Sequence, residues 1–346
     1  MDNLEILNCE VFRRYGIEIE LNAFDGIARG QNDPPPVGID YVGLTVNNIT
    51  KQPTQIKTWH PTHNNSGWVI KPDGSAGIEI CSPILKGWRD LKTCCELIEE
   101  FNRDEKIQAD DRCSFHAHFN LADLDKKQIA KILAYWIKCE IVFMDSVPSK
   151  RKLNRYCQLI GMTDLFMHDF KINPSEMIKR LGRTKYYSIN TYHMARDSRQ
   201  TMEFRIMENE SCIDPFAIKN WVRLILHFID RTIKMELPVD YIKGDPWSGL
   251  LWLDTFDVLK LLGFDGNYEL SPGLKQVRDW FIGRMKMNIN NTNHSGILSK
   301  TGRSIALQQL DSVIEDIRKK EGYVIGEEHV HPTDLKKALY SEEFLI

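Results

Sequence analysis

Two glutamates near the start of the chain are spaced for metal chemistry. Glu18 and Glu20 alternate with Ile17, Ile19 and Leu21, and a period of two residues is typical of a strand with one buried face. On such a strand the two carboxylates share a face and lie about 7 Å apart. Because like charges repel, this spacing favours a hard divalent cation such as Mg²⁺ between them. The alternative interpretation is an exposed edge strand with a charged outer face.

Three later segments repeat this alternation, with apolar side chains on one face and possible ligands on the other. A solvated face usually carries Thr, Lys and Ser, whereas these faces carry Glu, His, Asn and Arg, which favours a metal and phosphate site. Lys71 and Asp73 share a face with Glu79 only if their hairpin is regular, and Asp73-Gly74 is also an ordinary turn signal. The side chains concerned are Lys71, Asp73 and Glu79 within residues 68–83, His116, His118 and Asn120 within residues 113–120, and Glu203 and Arg205 within residues 201–206.

The ordered set of motifs resembles the amidoligase family, carboxylate–amine ligases of the glutamine synthetase and glutamate–cysteine ligase superfamily. The motifs are G-I-E-I-E at residues 16–20, D-G-S-x-G-I-E-I-x-S-P at residues 73–83, H-A-H at residues 116–118 and E-F-R at residues 203–205. The resemblance covers roughly residues 10–230. It implies an α+β fold with a curved antiparallel sheet, helices on the apolar face of that sheet, and a concave face that binds ATP and Mg²⁺.

The resemblance also implies a reaction and a set of ligands. ATP would activate a substrate carboxylate as an acyl phosphate, which an amine then attacks to form an amide. Two or three Mg²⁺ ions would bridge the ATP phosphates, held by carboxylates and by one histidine of the pair, with His116 slightly preferred to His118. We therefore expect the metal ligands Glu18, Glu20, Glu79, Glu203 and His116, and nucleotide contacts from His116, His118, Asn190, Lys71 and Asp73.

Three arginines are candidates for holding the transferring phosphoryl group or the substrate carboxylate, since guanidinium geometry suits both. Arg205 shares a face with Glu203, so the pair could provide a metal ligand beside a phosphate clamp or, alternatively, an internal ion pair. In the resembling ligases an arginine after the central helix helps to hold phosphate or the substrate carboxylate, and here either Arg151 or Arg155 fits that place. The alternative for these two is a solvated basic run at a helix end.

Apolar periodicity predicts the elements that support the sheet. A single apolar stripe predicts a helix over residues 88–101. A second helix is predicted over residues 125–146, with Asp125 as its cap and Glu140 on its helical period. Residues 41–46 could form a strand.

The chain is expected to contain a catalytic part and a helical part. We expect a catalytic domain over residues 1–236 and a helical C-terminal extension over residues 237–346, which could pack on the same domain. No motif of the resembling family covers the extension. Apolar stripes predict helices that begin at Asp214 and that cover residues 251–264, 274–285 and 304–320.

Length and composition limit the class of protein. The chain has 346 residues, 42% hydrophobic and 27% charged, with a net charge of −3, which is typical of a globular protein with a sizeable core. This balance argues against a dedicated nucleic-acid-binding protein. No apolar run is long enough for a membrane span, the first residues lack a signal-peptide core, and the eight cysteines form no CxxC pair. We expect a cytoplasmic enzyme with reduced thiols and no membrane partner.

Two rival functions would use the same residues. A metal-dependent hydrolase would direct the carboxylate and histidine face at water, and a non-catalytic descendant would only bind a small molecule. Clustered carboxylates without a cation destabilise a fold, which argues against the second rival.

The sequence leaves the substrates and the oligomeric state open. The expected substrates are a small-molecule or peptide carboxylate and an amine. Relatives of this kind occur in phage and bacterial gene neighbourhoods, so peptide, cell-wall and modified-nucleotide substrates all fit. Two further histidine pairs carry weak signals: His60 with His63, and His329 with His331, which is interpreted as incidental.

Overall fold

The computed structural model describes residues 6–7, 13–22, 24, 37–57, 67–152, 154–162, 174–196, 199–236, 252–291, 300–322 and 325. The chain divides into two units. The first unit consists of Val11–Phe119 and Met207–Val222. The second unit consists of Met1–Glu10, Asn120–Ile206 and Arg223–Ile346.

The described residues form nine strands. Most are short runs in which apolar and polar side chains alternate, as expected for a sheet with one buried face. In chain order the strands are β1 (Ile6–Leu7), β2 (Tyr15–Asn22), β3 (Thr54–Ile56), β4 (Trp68–Asp73), β5 (Gly77–Cys81), β6 (Phe115–Asn120), β7 (Ile189–Asn190), β8 (Thr201–Met207) and β9 (Glu269–Leu270).

Strand pairing confirms the predicted α+β fold and its antiparallel sheet. Within the first unit the strand order is β3-β4-β5-β2-β6. All of these neighbours pair antiparallel except β3 and β4, which are parallel. In the second unit β7 pairs antiparallel with β8, while β1 and β9 form a separate parallel pair.

The buried face of the first unit follows the alternation of the sequence. Ile17, Ile19 and Leu21 of β2 are each at most 1% exposed. Helix α2 (Gly87–Arg103) carries the predicted apolar stripe, which is buried from Leu91 to Phe101. Burial of this stripe is the main source of stability for an amphipathic helix.

The strand expected over residues 41–46 is wrong. These residues belong to helix α1 (Ile39–Thr50), which buries Ile39, Val42 and Val46 at helical spacing. The β-branched residues gave the segment a strand-like composition, but packing of one helical face decides its structure. Gly43 permits the close approach of this helix to β3, because a Cβ atom there would lie 2.8 Å from Cδ1 of Ile56.

The second unit contains the predicted central helix, α3 (Lys126–Asp145). Asp125 caps it: its carboxylate accepts a hydrogen bond from the backbone N–H of Gln128, whose side chain accepts one from the N–H of Asp125 in return. The later helices are α4 (Ser149–Lys152), α5 (Pro174–Leu181), α6 (Tyr192–Arg196), α7 (Pro215–Lys234), α8 (Thr255–Leu262), α9 (Pro272–Asn290) and α10 (Lys300–Glu321), and the last three lie where the sequence predicts helices.

Some sequence expectations fall outside the described residues. These include both weak histidine pairs, His60 with His63 and His329 with His331. The expected domain boundary after residue 236 is followed by residues 237–251, which are also outside them.

The described cysteines are free and buried, as expected for reduced thiols. They are Cys81, Cys94, Cys95, Cys113, Cys139, Cys157 and Cys212. Within the described parts of the chain, no helix is long and apolar enough to cross a membrane.

Candidate active site

The register of the first unit aligns the predicted ligands in two rows across the strands. Neighbouring strands lie about 4.8 Å apart, so opposed side chains on one face can share an ion. Strands that are distant in sequence therefore contribute to one polar face. The rows are Lys71–Glu79–Glu20 and Cys81–Glu18–His116, and His118 lies opposite Gly16.

Three carboxylates converge on this face. One oxygen atom each of Glu20, Asp73 and Glu79 lies within 4.8 Å of the others, and the same holds for ligand atoms of Glu18, Glu79 and Cys81. Glu20 and Glu79 are only 7% and 8% exposed, and buried like charges are unfavourable without a counter-charge. The donor set is dominated by hard oxygen atoms and fits Mg²⁺ in type and spacing.

Lys71 supplies a counter-charge to this group. Its Nζ lies 2.6 Å from Oε1 of Glu79. Burial, together with the charge of Glu18, raises the pKa of Glu79 above its ordinary value, although Lys71 acts against this. Burial acts to lower the pKa of Lys71, but the charges of Glu79 and Glu18 outweigh it and raise that pKa. Lys71 therefore keeps its positive charge beside the carboxylates.

Asp73 has a role in the turn as well as in the carboxylate group. Its Oδ1 accepts hydrogen bonds from the backbone N–H groups of Ser75 at 2.8 Å and of Ala76 at 2.9 Å. This is the turn chemistry that the Asp-Gly sequence also indicated. Asp73 is thus held in a fixed conformation next to Glu79.

Ser114 orients His116, and sequence reasoning missed it. The hydroxyl of Ser114 donates to Oε2 of Glu20 at 2.7 Å and lies 2.8 Å from Nε2 of His116. Because the single hydroxyl proton goes to Glu20, Nε2 of His116 donates to Ser114. Nδ1 lies 3.4 Å from Oε2 of Glu18: a protonated ring donates to that oxygen, whereas the neutral ring directs a lone pair at it. A cation between these two atoms would satisfy both, as in sites where a ligating histidine donates its other N–H.

The pKa of Glu18 is shifted in the opposite direction to that of Glu79. Burial acts to raise its pKa, but the charge of His118 and hydrogen bonds from His116 and His118 lower it well below its ordinary value. Nε2 of His118 lies 3.2 Å from Oε1 of Glu18. Both predicted histidines therefore adjoin the same carboxylate, one at each oxygen atom.

In the second unit Glu203, Arg205 and Asn190 lie together. Asn190 is opposite Glu203 in the β7–β8 register, and its side-chain amide donates to Oε2 of Glu203. Nη1 of Arg205 forms an ion pair with Oε1 of Glu203. The internal ion pair considered in the sequence analysis is therefore present, and Asn190 supports it.

The two arginines after the central helix differ in environment. Arg151 is 5% exposed and donates to backbone carbonyls of β8, from Nε to Ile206 at 3.2 Å and from Nη2 to Arg205 at 2.6 Å. Arg155 is exposed, and its guanidinium lies 4.8 Å from the ring centre of Tyr156. Arg151 holds β8 in place, whereas Arg155 is accessible to a substrate.

A buried glutamate supports the strand that carries Asn190. Both carboxylate oxygens of Glu140 accept backbone hydrogen bonds, from Ile160 at 2.9 Å and Gly161 at 3.0 Å, and Oε1 also accepts the hydroxyl of Ser188. Burial raises the pKa of Glu140 to about 7, against which these hydrogen bonds act. The N–H of Arg205 donates to the carbonyl of Ser188 at 3.0 Å, so this network reaches β8.

The structure adds three residues that the sequence analysis did not propose for the site. Cys81 lies two residues from Glu79 on the same face of β5 and opposite Glu18, and the alternation of the strand was the signal for it. Ser114 lies two residues before His116, so strand alternation places the two side chains on the same face. Glu140 could have been found from the sequence, because a glutamate on the apolar stripe of a helix is buried and needs hydrogen-bond partners.

The sequence matches the model of the family described as "Putative amidoligase enzyme" over residues 12–229. This range covers more than half of the chain. The chain therefore belongs to this amidoligase family, and the predicted class of enzyme, an amide-forming carbon–nitrogen ligase, is confirmed at the level of the family.

Two solved structures align with the chain at low sequence identity. The first is a bifunctional glutathione synthetase from Pasteurella multocida, with a TM-score of 0.40, 11% identity, and coverage of 96% of this chain and 51% of that chain. The second is a glutamate–cysteine ligase from Francisella tularensis in complex with AMP, with a TM-score of 0.36, 9% identity, and coverage of 96% and 93%. The chain spans about half the length of the glutathione synthetase. A comparison with curated proteins gave no match.

Proposed function

We propose that the protein is an ATP- and Mg²⁺-dependent ligase that joins a carboxylate to an amine through an acyl phosphate. Membership of the amidoligase family supports the reaction class. The observation that carries the proposal is the convergence of Glu20, Asp73 and Glu79 within 4.8 Å on a mostly buried polar face. Such a face is stabilised by a cation, and Mg²⁺ bound there can hold a polyphosphate.

The proposed metal ligands include one histidine, and His116 is the better candidate. Its Nε2 is hydrogen-bonded to the hydroxyl of Ser114, which leaves Nδ1 directed at Glu18. Bound Mg²⁺ would neutralise the triphosphate and make its terminal phosphorus more electrophilic. The full proposed set, for two or three ions, is Glu18, Glu20, Glu79, Glu203 and His116.

Four further side chains are proposed to contact the nucleotide. Lys71 carries a positive charge that can pass from Glu79 to a phosphate oxygen when a metal ion takes its place. Asp73 would bind through metal or water because it is itself anionic. His118 and Asn190 are the neutral hydrogen-bonding groups of the set.

Arg205 and Arg155 are proposed to act on the reacting groups. The guanidinium of Arg205 would leave Glu203 in part and stabilise charge on the transferring phosphoryl group. Arg155 is a better candidate than Arg151 for the substrate, because Arg151 already donates to carbonyls of β8. Arg151 would then contribute by fixing the strand that carries Arg205.

The reaction proceeds in two steps. A carboxylate oxygen of the substrate bonds to the γ-phosphorus of ATP as the bond to the β,γ-bridging oxygen breaks, which yields ADP and an acyl phosphate. The amine nitrogen then bonds to the acyl carbon, the carbon–oxygen bond to phosphate breaks, and the nitrogen loses a proton. The products are an amide, ADP and inorganic phosphate.

Calorimetric titration of the purified protein with ATP tests the proposal, with and without Mg²⁺. We expect binding that requires Mg²⁺. The variant Glu79→Gln should lose most of this Mg²⁺-dependent ATP binding, because the substitution removes the carboxylate charge and keeps the shape of the side chain. Glu96→Gln is the matched control, since Glu96 is half-buried on α2 and pairs only loosely with Lys92 at 3.9 Å.

The titration also separates the rival functions. Absence of ATP binding with and without Mg²⁺ would contradict the ligase proposal. Metal binding combined with hydrolytic activity in the absence of nucleotide would instead identify a metal-dependent hydrolase that uses the same face.

A further inference from the structure

One stretch of the second unit is strongly basic in a chain that is acidic as a whole. Between residues 150 and 199 there are eleven Lys and Arg but only four Asp and Glu, whereas the whole chain has a net charge of −3. Several of the cations are exposed, and we call four of them, Lys179, Arg183, Lys185 and Arg196, the basic surface. Charge concentrated in this way attracts an anionic partner.

The segments that carry the basic surface are packed together. The hydroxyl of Thr191, just before α6, donates to the carbonyl of Ile178 on α5 at 3.1 Å. A Cβ atom on Gly182 would clash with Cβ of Ala195, so the end of α5 lies directly against α6. The cations of the two helices and of the loop between them therefore belong to one surface.

Aromatic rings hold some of these cations in place. The guanidinium of Arg196 lies 4.6 Å from the ring centre of Tyr192, and the ammonium of Lys185 lies 5.8 Å from that of Tyr186. Stacking on a ring orders a long side chain before a ligand binds, so less entropy is lost on binding. A guanidinium held flat on a ring still presents its N–H groups at its edge to a carboxylate.

The basic surface connects to a proposed catalytic arginine. The rings of Tyr186 and Tyr156 lie 5.5 Å apart, and the backbone N–H of Gln158 donates to the carbonyl of Tyr186 at 2.8 Å. Nε of Arg205 donates to the carbonyl of Tyr156 at 3.4 Å. A ligand on the basic surface would thus lie near the exposed Arg155 and the turn that contacts Arg205.

We propose that the basic surface binds an acidic peptide segment that carries the carboxylate to be amidated. This inference rests on the proposed ligase function for the identity of the reacting group. Several cations next to the site favour a substrate with several anions, and a ligase substrate must contain a carboxylate. Peptides rich in Glu or Asp meet both conditions, whereas a nucleic acid supplies anions without carboxylates.

Fluorescence anisotropy with a labelled oligoglutamate peptide tests this proposal, in the absence of ATP and Mg²⁺. We expect saturable binding that weakens as salt is added, because exposed charges are screened. The double variant Arg183→Glu, Lys185→Glu should bind about tenfold more weakly or worse, since attraction becomes repulsion. The double variant Arg183→Ala, Lys185→Ala should bind the peptide with an affinity between those of the charge-reversal variant and the wild type.

The matched control reverses two exposed lysines at the start of α3, Lys126→Glu with Lys127→Glu. It has the same change in net charge, and we expect its affinity to stay within about twofold of wild type. An equal loss in the control, or no binding by the wild type at low salt, would overturn the proposal. Tighter binding of a single-stranded oligonucleotide of equal charge would also overturn it and assign the surface to nucleic acid.

The peptide-binding test can fail separately from the test of the proposed ligase function. Peptide binding without ADP release, when ATP, Mg²⁺ and an amine are then added, would contradict the ligase chemistry and leave the surface assignment intact. ADP release from other carboxylates, without oligoglutamate binding, would support the ligase and contradict the surface assignment.

Discussion

The ammonium of Lys71 lies 2.6 Å from a carboxylate oxygen of Glu79 on the neighbouring strand. Glu79 also lies with Glu20 and Asp73 in a group of converging oxygen atoms. A lysine in this position neutralises part of the negative charge that would otherwise destabilise the fold when no metal ion is bound. A metal ion that binds Glu79 must compete with Lys71, and this competition makes the pair testable.

We predict that Lys71→Met raises the affinity for Mg²⁺ by about tenfold in the absence of nucleotide, because one positive charge leaves the site. The same change should lower the free energy of unfolding of the metal-free protein by about 3 kcal/mol, since Glu79 loses its partner. Calorimetric Mg²⁺ titration and urea unfolding in EDTA measure the two effects. Lys92→Met, which breaks an exposed pair, should change stability by less than about 0.5 kcal/mol. An unchanged Mg²⁺ affinity in Lys71→Met would refute the shared site.

We predict that Mg²⁺ stabilises the wild-type protein and stabilises Glu79→Gln far less. A ligand that binds only the folded state at a hundred times its dissociation constant adds about 2.7 kcal/mol to the free energy of unfolding. Thermal or urea unfolding with and without Mg²⁺ measures this difference. Glu79 is a better target than Glu18, because the low pKa of Glu18 shows favourable contacts with His118 and His116 that its replacement would also remove. Equal stabilisation of both proteins would mean that Glu79 is not a ligand.

We predict opposite effects for the two arginines after the central helix. Arg151→Ala should lower the free energy of unfolding by about 3 kcal/mol, because two buried carbonyls of β8 lose their donor. Arg155→Ala should change stability by less than about 0.5 kcal/mol but lower the rate of ADP release by about a hundredfold. Unfolding curves and turnover measured on both variants check the prediction. Full activity of Arg155→Ala would remove that arginine from the proposed site.

We predict that Glu140 makes stability depend on pH. Its pKa is raised to about 7 in the folded protein from an ordinary value of 4.5, so between these values the folded state holds a proton that the unfolded state has lost. The free energy of unfolding should therefore fall as pH rises from about 4.5 to about 7, by on the order of 3 kcal/mol in total. Glu140→Gln should lack this part of the fall, whereas the exposed Glu105→Gln should keep it. Parallel pH profiles for Glu140→Gln and wild type would contradict the buried carboxyl.

The faces of the strands could be predicted from sequence, but their neighbours could not. The alternation of Ile17, Glu18, Ile19 and Glu20 fixes which side chains share a face, because side chains alternate along any strand. Which residues oppose each other depends on pairing register, which alternation alone does not specify. The positions of Cys81 opposite Glu18, and of Ser114 beside Glu20, therefore required the structure.

Short and context-dependent elements were also beyond prediction. The parallel pair Ile6–Leu7 with Glu269–Leu270 is two residues long on each side and gives no periodic signal. Residues 41–46 have strand-like composition, yet burial of Val42 and Val46 against neighbouring elements favours a helix. Arg151 and Arg155 both follow the central helix within a few residues, and their roles depend on the packing around each guanidinium, which the sequence does not specify.

The release of ADP from ATP and Mg²⁺, measured with a carboxylate and an amine separately and together, tests the central claim most directly. Pools of acidic peptides and amino acids would serve as carboxylates, and amino acids and polyamines as amines. We predict ADP release that requires both partners, with an amide product in equal amount and one carboxylate oxygen transferred to the phosphate. ADP release that is independent of both partners, or amide formation without ADP, would contradict the account.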